Sequence, residues 1–154
     1  MQVTLFNEEQ AEYTNDDHYT PKWVFDELDL EFDIDVAAPP LGVPWIPCKK
    51  FYTMKDDGLT SPWYGRVWCN PPFTNPTPWV DRFIEHKNGI LLVPVSRSKW
   101  FNKLWNSEAK IVKTPYDFKF SRPHSEDKHI SFQTFLFAFG DENIKAISKL
   151  GMVR

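Results

Sequence analysis

The sequence predicts an α/β fold, a three-layer sandwich in which helices cover both faces of a mostly parallel sheet. Two observations support this prediction. Segments with strand composition alternate with amphipathic helical segments through the first two-thirds of the chain, a pattern typical of parallel sheets. Strand-rich sequence dominates the last third, which predicts one or more antiparallel strands at the C-terminal end of the fold.

The first predicted elements are a helix and two short strands. TPKWVFDELDLEF begins at Thr20 with a capping residue, a proline at the first helical position and acidic residues in the early turns. FDIDVAA is predicted to be a buried strand that ends in small residues. PPLGVPWIPCKK must then be a loop, because its prolines exclude regular structure. KFYTM is the second predicted strand.

Strands and helices alternate in the middle of the chain. DDGLTSPWYG has the composition of turns, and RVWCN after it is predicted to be the third strand. PTPWVDRFIEH carries a helical apolar stripe. GILLVPV is a continuous apolar run, which is typical of a strand buried on both faces. SKWFNKLWNSEA is the next amphipathic helix.

The last third contains mainly strand-like segments. KIVKT, YDFKF and ISFQTFLFAFG are predicted strands, and DENIKAISKL is a closing helix capped by Asp141. The helical stripes place four tryptophans in the predicted core: Trp23, Trp79, Trp100 and Trp105.

Length and composition indicate one domain. The chain has 154 residues, enough to bury its own core. We expect residues 19–154 to form that domain, without a separate target-recognition domain, and residues 1–18 to form a loosely ordered arm. No segment is apolar enough for a membrane span, and the N-terminal segment lacks a signal-peptide run. We therefore expect a cytoplasmic protein without membrane contact, either monomeric or homodimeric.

Charge and cysteine content argue against several functional classes. The formal net charge is −3 at pH 7, which is unfavourable for a protein held to nucleic acid by its overall charge. Cys48 and Cys69 form neither a disulfide framework nor the close pair of a zinc knuckle. His124 and His129 lie far from them in sequence. We expect free thiols and no metal ion.

Two polar residues stand at the ends of predicted strands. Asp35 lies near the end of the first strand, and Asn70 ends the third. In open parallel sheets, ligands bind in the crevice beyond the carboxyl ends of the strands. If these two strands are neighbours, Asp35 and Asn70 face the same cleft.

The segment Asn70–Phe73, with sequence NPPF, is suited to bind an aromatic amine. Its prolines stiffen the backbone. The side-chain oxygen of Asn70 and the carbonyl of Pro71 can accept both hydrogens of one exocyclic amine, and Phe73 can stack on its ring for ~1–3 kcal/mol. This arrangement suits methyl transfer to adenine N6, which requires positioning and a base flipped out of the duplex. The alternative is a rigid turn before a helix.

In their order along the chain, these motifs resemble the small phage-type DNA N6-adenine methyltransferase (Dam-like) family. NPPF matches the D/N-P-P-Y/F/W motif of amino-directed methyltransferases, and the resemblance covers roughly residues 19–140. It implies a compact Rossmann-like methyltransferase fold, DNA as the substrate and S-adenosylmethionine as the methyl donor. It also makes GATC the expected target sequence.

The resemblance further implies roles for individual residues. The catalytic residues would be Asn70, Pro71, Pro72 and Phe73. The residues at the donor would be Tyr19, Thr20, Pro21, Asp35, Ala37, Ala38 and Asp57. In this assignment the amino acid moiety of the donor passes Asp35, and Asp57 or its neighbour Asp56 accepts hydrogen bonds from the ribose hydroxyls.

Basic residues are concentrated between positions 97 and 128, where they outnumber acidic residues eight to four. A solvated face is the ordinary meaning of such an excess. In a chain with net negative charge, it is also the best candidate for an edge that contacts phosphates. The candidates for DNA contact are Arg97, Lys99, Arg122 and Lys128.

The sequence departs from larger methyltransferases after the first strand, where DVAAPPLG lacks the usual glycine-rich turn. Target specificity would have to come from loops such as 41–50 or 114–129, or from a partner. Two alternatives stay open. The chain could methylate cytosine N4, RNA or a protein amide, or it could be an inactive nucleic-acid-binding module of the same fold.

Overall fold

The computed structural model describes residues 18–121, 129–130 and 132–154. Within them, the helices are α1 (Lys22–Leu28), α2 (Thr77–His86), α3 (Lys99–Trp105) and α4 (Asp141–Ile147). The strands are β1 (Phe32–Asp35), β2 (Cys48–Phe51), β3 (Val67–Cys69), β4 (Gly89–Pro94), β5 (Lys110–Lys113), β6 (Phe120–Ser121), β7 (His129–Ile130) and β8 (Thr134–Phe139).

Six of these strands form one sheet in the order β2-β1-β3-β4-β8-β5. β1 pairs in parallel with β2 and β3, and β3 pairs in parallel with β4. β8 is antiparallel to both of its neighbours, β4 and β5. A mostly parallel sheet with an antiparallel strand near the C-terminal end is therefore confirmed. Since Asp35 is opposite Trp68, β1 and β3 end at the same edge.

Helices cover both faces of this sheet. Alternate residues of a strand point to opposite faces, and the buried side chains accordingly separate into two clusters. In one cluster, α1 and α4 pack on residues such as Phe32 and Trp68. In the other, α2 and α3 pack on residues such as Ile34 and Leu91. The predicted three-layer sandwich, consistent with a Rossmann-like methyltransferase fold, is confirmed.

The predicted strand YDFKF is wrong for most of its length. Phe118 and Phe120 are buried, but Tyr116, which would share their face in a continuous strand, is 97% exposed. The reason is that the backbone turns after Pro115, whose carbonyl accepts a hydrogen bond from the Phe118 N–H. Of this predicted strand, only Phe120 lies in an observed strand, β6, which pairs with β7 in a separate two-stranded sheet.

The predicted helix caps are also wrong. α1 begins at Lys22 with Pro21 at the N-cap position, so that Thr20 lies before the cap. Gly140 occupies the N-cap position of α4, with a φ of 96° that favours glycine, and Asp141 is the first helical residue. At that position Asp141 stabilises the helix through its charge at the positive end of the dipole.

Two of the four tryptophans predicted for the core are exposed. Trp23 is 38% exposed and Trp105 is 46% exposed, because both lie at the solvent side of their helical stripes. Trp79 and Trp100 are half-buried and pack against the α2–α3 side of the core. The fully buried tryptophan is Trp68, at the centre of the sheet.

Several expectations concern other features of the chain. Cys48 and Cys69 are free thiols, as expected. The described residues contain no group of three or more side chains placed to hold a metal ion. In the described ranges, every helix is too short or too polar to cross a bilayer. Apart from His18, the predicted arm lies outside the described residues, and the single-domain boundary stays a prediction.

Asn143 fastens α4 to the sheet. It is 1% exposed, and its Oδ1 accepts a hydrogen bond of 2.6 Å from Nε of Arg66. Its Nδ2 donates to the Phe139 carbonyl at 2.8 Å and to Oδ1 of Asn88 at 2.9 Å. Replacing Asn143 by Ala should lower the free energy of unfolding by about 2–3 kcal/mol, because buried partners lose their hydrogen bonds. Urea denaturation measures the change.

Glu142→Ala is the control for this prediction. Glu142 is the preceding residue of α4, and its carboxylate pairs with the same Arg66 at 2.8 Å, yet its side chain is 79% exposed. Its loss should lower stability by less than about 0.5 kcal/mol, because solvent screens exposed ion pairs. Equal losses for the two variants would contradict the structural role given to Asn143.

Candidate active site

A cavity of about 390 Å³ opens at the edge of the sheet where β1 and β3 end. Its walls come from the segments that follow β1, β2 and β3, together with residues 18–20. Asp35 and Asn70 both line it, as the strand order predicts. Cavities of this size and largely apolar lining are typical of small-molecule sites.

Most of the residues predicted to contact the donor lie on this cavity. The residues that line it are Tyr19, Thr20, Asp35, Ala37, Ala38 and Asp57, whereas Pro21 lies outside the lining. Of the predicted catalytic residues, Asn70 and Pro72 line the cavity, and Pro71 and Phe73 do not. One end of the NPPF segment therefore faces the cavity, and its aromatic ring points elsewhere.

Asn70, a cavity-lining residue, carries a hydrogen-bond acceptor that has no partner among the described residues. Its Nδ2 donates to the backbone carbonyl of His18 at 2.7 Å. Because a carbonyl only accepts, the atom facing it must be the amide nitrogen, which leaves Oδ1 on the other side. Oδ1 is buried and has no hydrogen-bond partner among the described residues. Leaving a buried acceptor unpaired is unfavourable, which makes this oxygen a candidate for binding a ligand N–H.

The ring of Phe73 is covered by His18. Their ring centroids lie 5.1 Å apart with an interplanar angle of 21°, which is a stacked arrangement. Phe120 and Phe132 contact Phe73 edge-on. His18 lines the cavity, whereas Phe73 does not. Sequence reasoning missed His18, because no motif distinguishes it within the predicted arm.

Residues 18–20 are held across the cleft by backbone pairing. The Tyr19 N–H donates to Ser121 at 2.8 Å, and the Ser121 N–H donates back at 2.9 Å. The Thr20 carbonyl accepts a hydrogen bond of 2.7 Å from Nε1 of Trp45. The hydroxyl of Thr20 is buried without a partner among the described residues, although it belongs to a cavity-lining residue. It is a second polar group available to a ligand.

Asp35 is a buried carboxyl group on the cavity wall. It is 2% exposed, and burial raises its pKa from 3.8 to about 7, an effect that the Ala37 N–H partly offsets. That N–H approaches Oδ1 at 3.4 Å. In the described part of the chain, no basic side chain pairs with Asp35. A cationic ligand group would supply the missing partner.

The acids of the Asp56-Asp57-Gly58 segment have different surroundings. The Asp56 carboxylate accepts hydrogen bonds from the Thr53 N–H at 2.9 Å and the Thr53 hydroxyl at 3.2 Å. It therefore holds its own loop together. Asp57 lines the cavity and has a left-handed φ of 54°. Of the two acids left open by the sequence, only Asp57 faces a potential ligand.

Two of the predicted DNA contacts lie at the same edge of the sheet. Arg97 and Lys99 are exposed and follow the end of β4. They line a shallow depression of about 290 Å³ together with the exposed ring of Trp105. The other two, Arg122 and Lys128, lie outside the described residues. The basic groups that can be located are thus separate from the deep cavity but flank it.

Comparison with known proteins identifies the family. Residues 8–116 match the family model for DNA N-6-adenine-methyltransferase (Dam). The DNA N-6-adenine-methyltransferase of Haemophilus phage HP1 (strain HP1c1) is 35% identical over 104 residues, which are 60% of this chain and 58% of that protein. The DNA N-6-adenine-methyltransferase of Escherichia phage T1 is 33% identical over 90 residues, 53% of this chain and 36% of that protein.

The aligned regions span only about half, or less, of the length of these curated relatives. The family model, in contrast, matches well over half of this chain and includes the cavity segments and the NPPF motif. These matches confirm the resemblance found from the sequence motifs, and the chain belongs to the DNA N-6-adenine-methyltransferase (Dam) family.

Proposed function

We propose that the chain transfers a methyl group from S-adenosylmethionine to N6 of an adenine flipped out of DNA, with GATC as the target sequence. One observation carries this proposal. In a member of the DNA N-6-adenine-methyltransferase (Dam) family, Asn70 of the NPPF motif presents a buried, unpaired Oδ1 beside the cavity. An exocyclic amine is the group that such an acceptor binds best.

The catalytic residues act on the amine by positioning it. Asn70 Oδ1 and the Pro71 carbonyl accept its two hydrogens, which localises the nitrogen lone pair. Phe73 supplies a stacking surface for the base. The bound donor supplies an electrophilic methyl group on a sulfonium, so that a C–N bond forms as the C–S bond breaks. The amine loses its extra proton to solvent after transfer. Catalysis rests on geometry and charge stabilisation.

The cavity residues fit the donor. Asp35, which lacks a cationic partner among the described residues, would pair with the ammonium of its amino acid moiety. The free hydroxyl of Thr20 would donate to its carboxylate. Asp57 would accept hydrogen bonds from the ribose. The remaining predicted donor contacts are Tyr19, Pro21, Ala37 and Ala38, the last two being small enough to leave the cavity open.

DNA would cross the edge of the sheet beside the cavity. Arg97 and Lys99 would contact phosphates there, with Arg122 and Lys128 as further candidates from the sequence. In a phage-encoded chain, the reaction would take place in the host cytoplasm. Phosphate contacts position the duplex and carry no sequence information themselves.

Removing both charges by Arg97→Ala and Lys99→Ala should weaken DNA binding and make it less sensitive to salt. The slope of log K against log salt should decrease by about 2, because each phosphate contact contributes roughly 0.9. DNA binding titrations at several salt concentrations measure this slope. Lys110→Ala is the control, since Lys110 is exposed at the start of β5, at the edge of the sheet opposite to that of Arg97 and Lys99. An unchanged slope in the double variant would remove Arg97 and Lys99 from the DNA interface.

Product identification tests the function as a whole. The protein is incubated with labelled S-adenosylmethionine and unmodified DNA, RNA or protein, and the digested products are separated. Label in N6-methyladenine from duplexes that contain GATC, and not from scrambled duplexes, is the expected result. Label in N4-methylcytosine, RNA or a protein amide would replace the proposed substrate. Donor binding without transfer would instead support an inactive nucleic-acid-binding module.

A further inference from the structure

Arg82 of α2 hydrogen-bonds to the backbone of the loop between β2 and β3. Its Nη1 donates to the Gly58 carbonyl at 2.9 Å and to the Leu59 carbonyl at 2.6 Å. Its guanidinium lies over the ring of Trp63, 4.8 Å from the ring centre. Arg82 does not line the cavity. Its contacts are with the loop and the indole, so any influence on a ligand must pass through them.

The same loop carbonyl is fixed a second time. Nε1 of Trp63 donates to the Gly58 carbonyl at 2.7 Å, so that one indole and one guanidinium share this acceptor. A Cβ atom on Gly58 would lie 2.0 Å from the carbonyl oxygen of Val36 and 3.0 Å from the ring of Trp79. The loop is therefore pressed directly against the end of β1, at a distance that only glycine permits.

This contact forms part of the cavity wall. Asp57 and Gly58 line the cavity beside the segment that follows β1, where the sequence lacks a glycine-rich turn. The glycine that permits close backbone packing at this wall comes instead from the loop after β2.

We propose that Arg82 is a positioning residue for the methyl donor, because it binds the carbonyls of Gly58 and Leu59, fixes Gly58 against the end of β1 and so holds Asp57 at the donor ribose. The inference rests on the proposed function, since it takes the cavity as the donor site. The planar guanidinium reaches two carbonyls while stacking on Trp63. A lysine ammonium is a point charge that cannot reproduce both contacts.

The test uses full-length variants and measures two quantities. The dissociation constant of S-adenosylmethionine is determined by calorimetry, and kcat and KM are determined on DNA. Arg82→Ala should raise the donor dissociation constant and the donor KM by roughly 10-fold or more, because a displaced Asp57 carboxylate loses its charge-assisted hydrogen bonds to the donor ribose. Arg82→Lys should give an intermediate value. At saturating donor, kcat should stay within about twofold, as expected for lost ground-state binding.

Asp81→Asn is the matched control. Asp81 precedes Arg82 on α2, and its carboxylate pairs with Lys103 of α3 at 2.7 Å, away from the loop. Its donor affinity should equal that of the wild type. If Arg82→Ala fails to fold, Arg82→Lys and Trp63→Phe carry the test. Trp63→Phe removes the second bond to Gly58 and should weaken donor binding in the same direction.

Three results would overturn the inference. If the wild type and the Arg82 variants bind donor equally while only the melting temperature falls, Arg82 is structural and the proposed function stands. A lower kcat with an unchanged donor KM leads to the same conclusion. A wild-type protein that binds no S-adenosylmethionine would overturn the proposed function itself, and this inference with it.

Discussion

Replacing Asn70 by Ala should abolish methyl transfer while donor binding stays close to that of the wild type. Asn70 Oδ1 is the unpaired acceptor at the cavity, and the side-chain amide is anchored on the His18 carbonyl. Loss of one preorganised hydrogen-bonding group at a reacting centre lowers kcat by about 10²–10³-fold. Single-turnover transfer to DNA measures the loss, and calorimetry with S-adenosylmethionine measures donor affinity.

Asn75→Ala is the matched control for Asn70→Ala. Asn75 is an exposed asparagine in the turn after the NPPF motif, and its side chain makes no hydrogen bond within the described residues. Its variant should transfer methyl groups at the wild-type rate. Equal losses of transfer and donor affinity in Asn70→Ala would refute the role of Asn70 in holding the target amine.

Asp35→Asn should make the protein more stable above pH 7 and at the same time impair donor binding. Burial raises the pKa of Asp35 in the folded state from 3.8 to about 7. Between these values, the folded chain keeps a proton that the unfolded chain has lost, so the free energy of unfolding falls as pH rises. This window corresponds to at most roughly 4 kcal/mol. Asparagine does not ionise and avoids that loss.

Asp35→Asn should weaken donor binding, although it increases the stability of the protein. In the proposed assignment the donor ammonium pairs with the ionised carboxylate of Asp35, so wild-type affinity should increase as pH rises through about 7. Asp35→Asn should bind the donor roughly 10-fold or more weakly, because a charge-assisted hydrogen bond is lost, and without this pH dependence. Donor calorimetry from pH 6 to pH 8.5 measures the affinity, and urea denaturation from about pH 4 to pH 8.5 measures stability across the window between the two pKa values.

An exposed aspartate provides the control for Asp35. Asp26 lies on α1, where it pairs with Lys22 at 2.9 Å and is 62% exposed. Asp26→Asn should change neither the pH dependence of stability nor donor affinity. If the stability of Asp35→Asn followed the same pH curve as the wild type, Asp35 would not be the group that titrates in this window.

The order of helices and strands was predictable because each segment carries its own periodicity. The position of β8 between β4 and β5 was not, since antiparallel pairing of distant segments depends on contacts that no local pattern contains. The second strand was predicted as KFYTM but is Cys48–Phe51. Tyr52 follows the strand and still bonds to the neighbouring segment, since its N–H donates to the Asp35 carbonyl at 2.8 Å, while its hydroxyl donates to the Pro62 carbonyl at 2.7 Å.

The candidate site was partly predictable for similar reasons. Asp35 and Asn70 could be paired because parallel strands end at one edge of a sheet. His18 and Arg82 could not be found. His18 contributes its own backbone carbonyl as an acceptor, and Arg82 donates to the carbonyls of Gly58 and Leu59, and any residue type provides such carbonyls. The basic residues at 97 and 99 were visible as an excess of charge, but whether they contact DNA, and whether the protein forms a homodimer, stay predictions.

The stacking of His18 on Phe73 bears on how a target base would be selected. A base that stacks on Phe73 must displace the imidazole of His18. It therefore gains only the difference between its own stacking energy and that of the imidazole, and not the full ~1–3 kcal/mol. Stacking of a planar ring alone then gives little preference for any base. Selection passes to the amine, whose hydrogens satisfy the acceptor at Asn70. On this basis, a purine without an exocyclic amine would have no advantage over the histidine already in place.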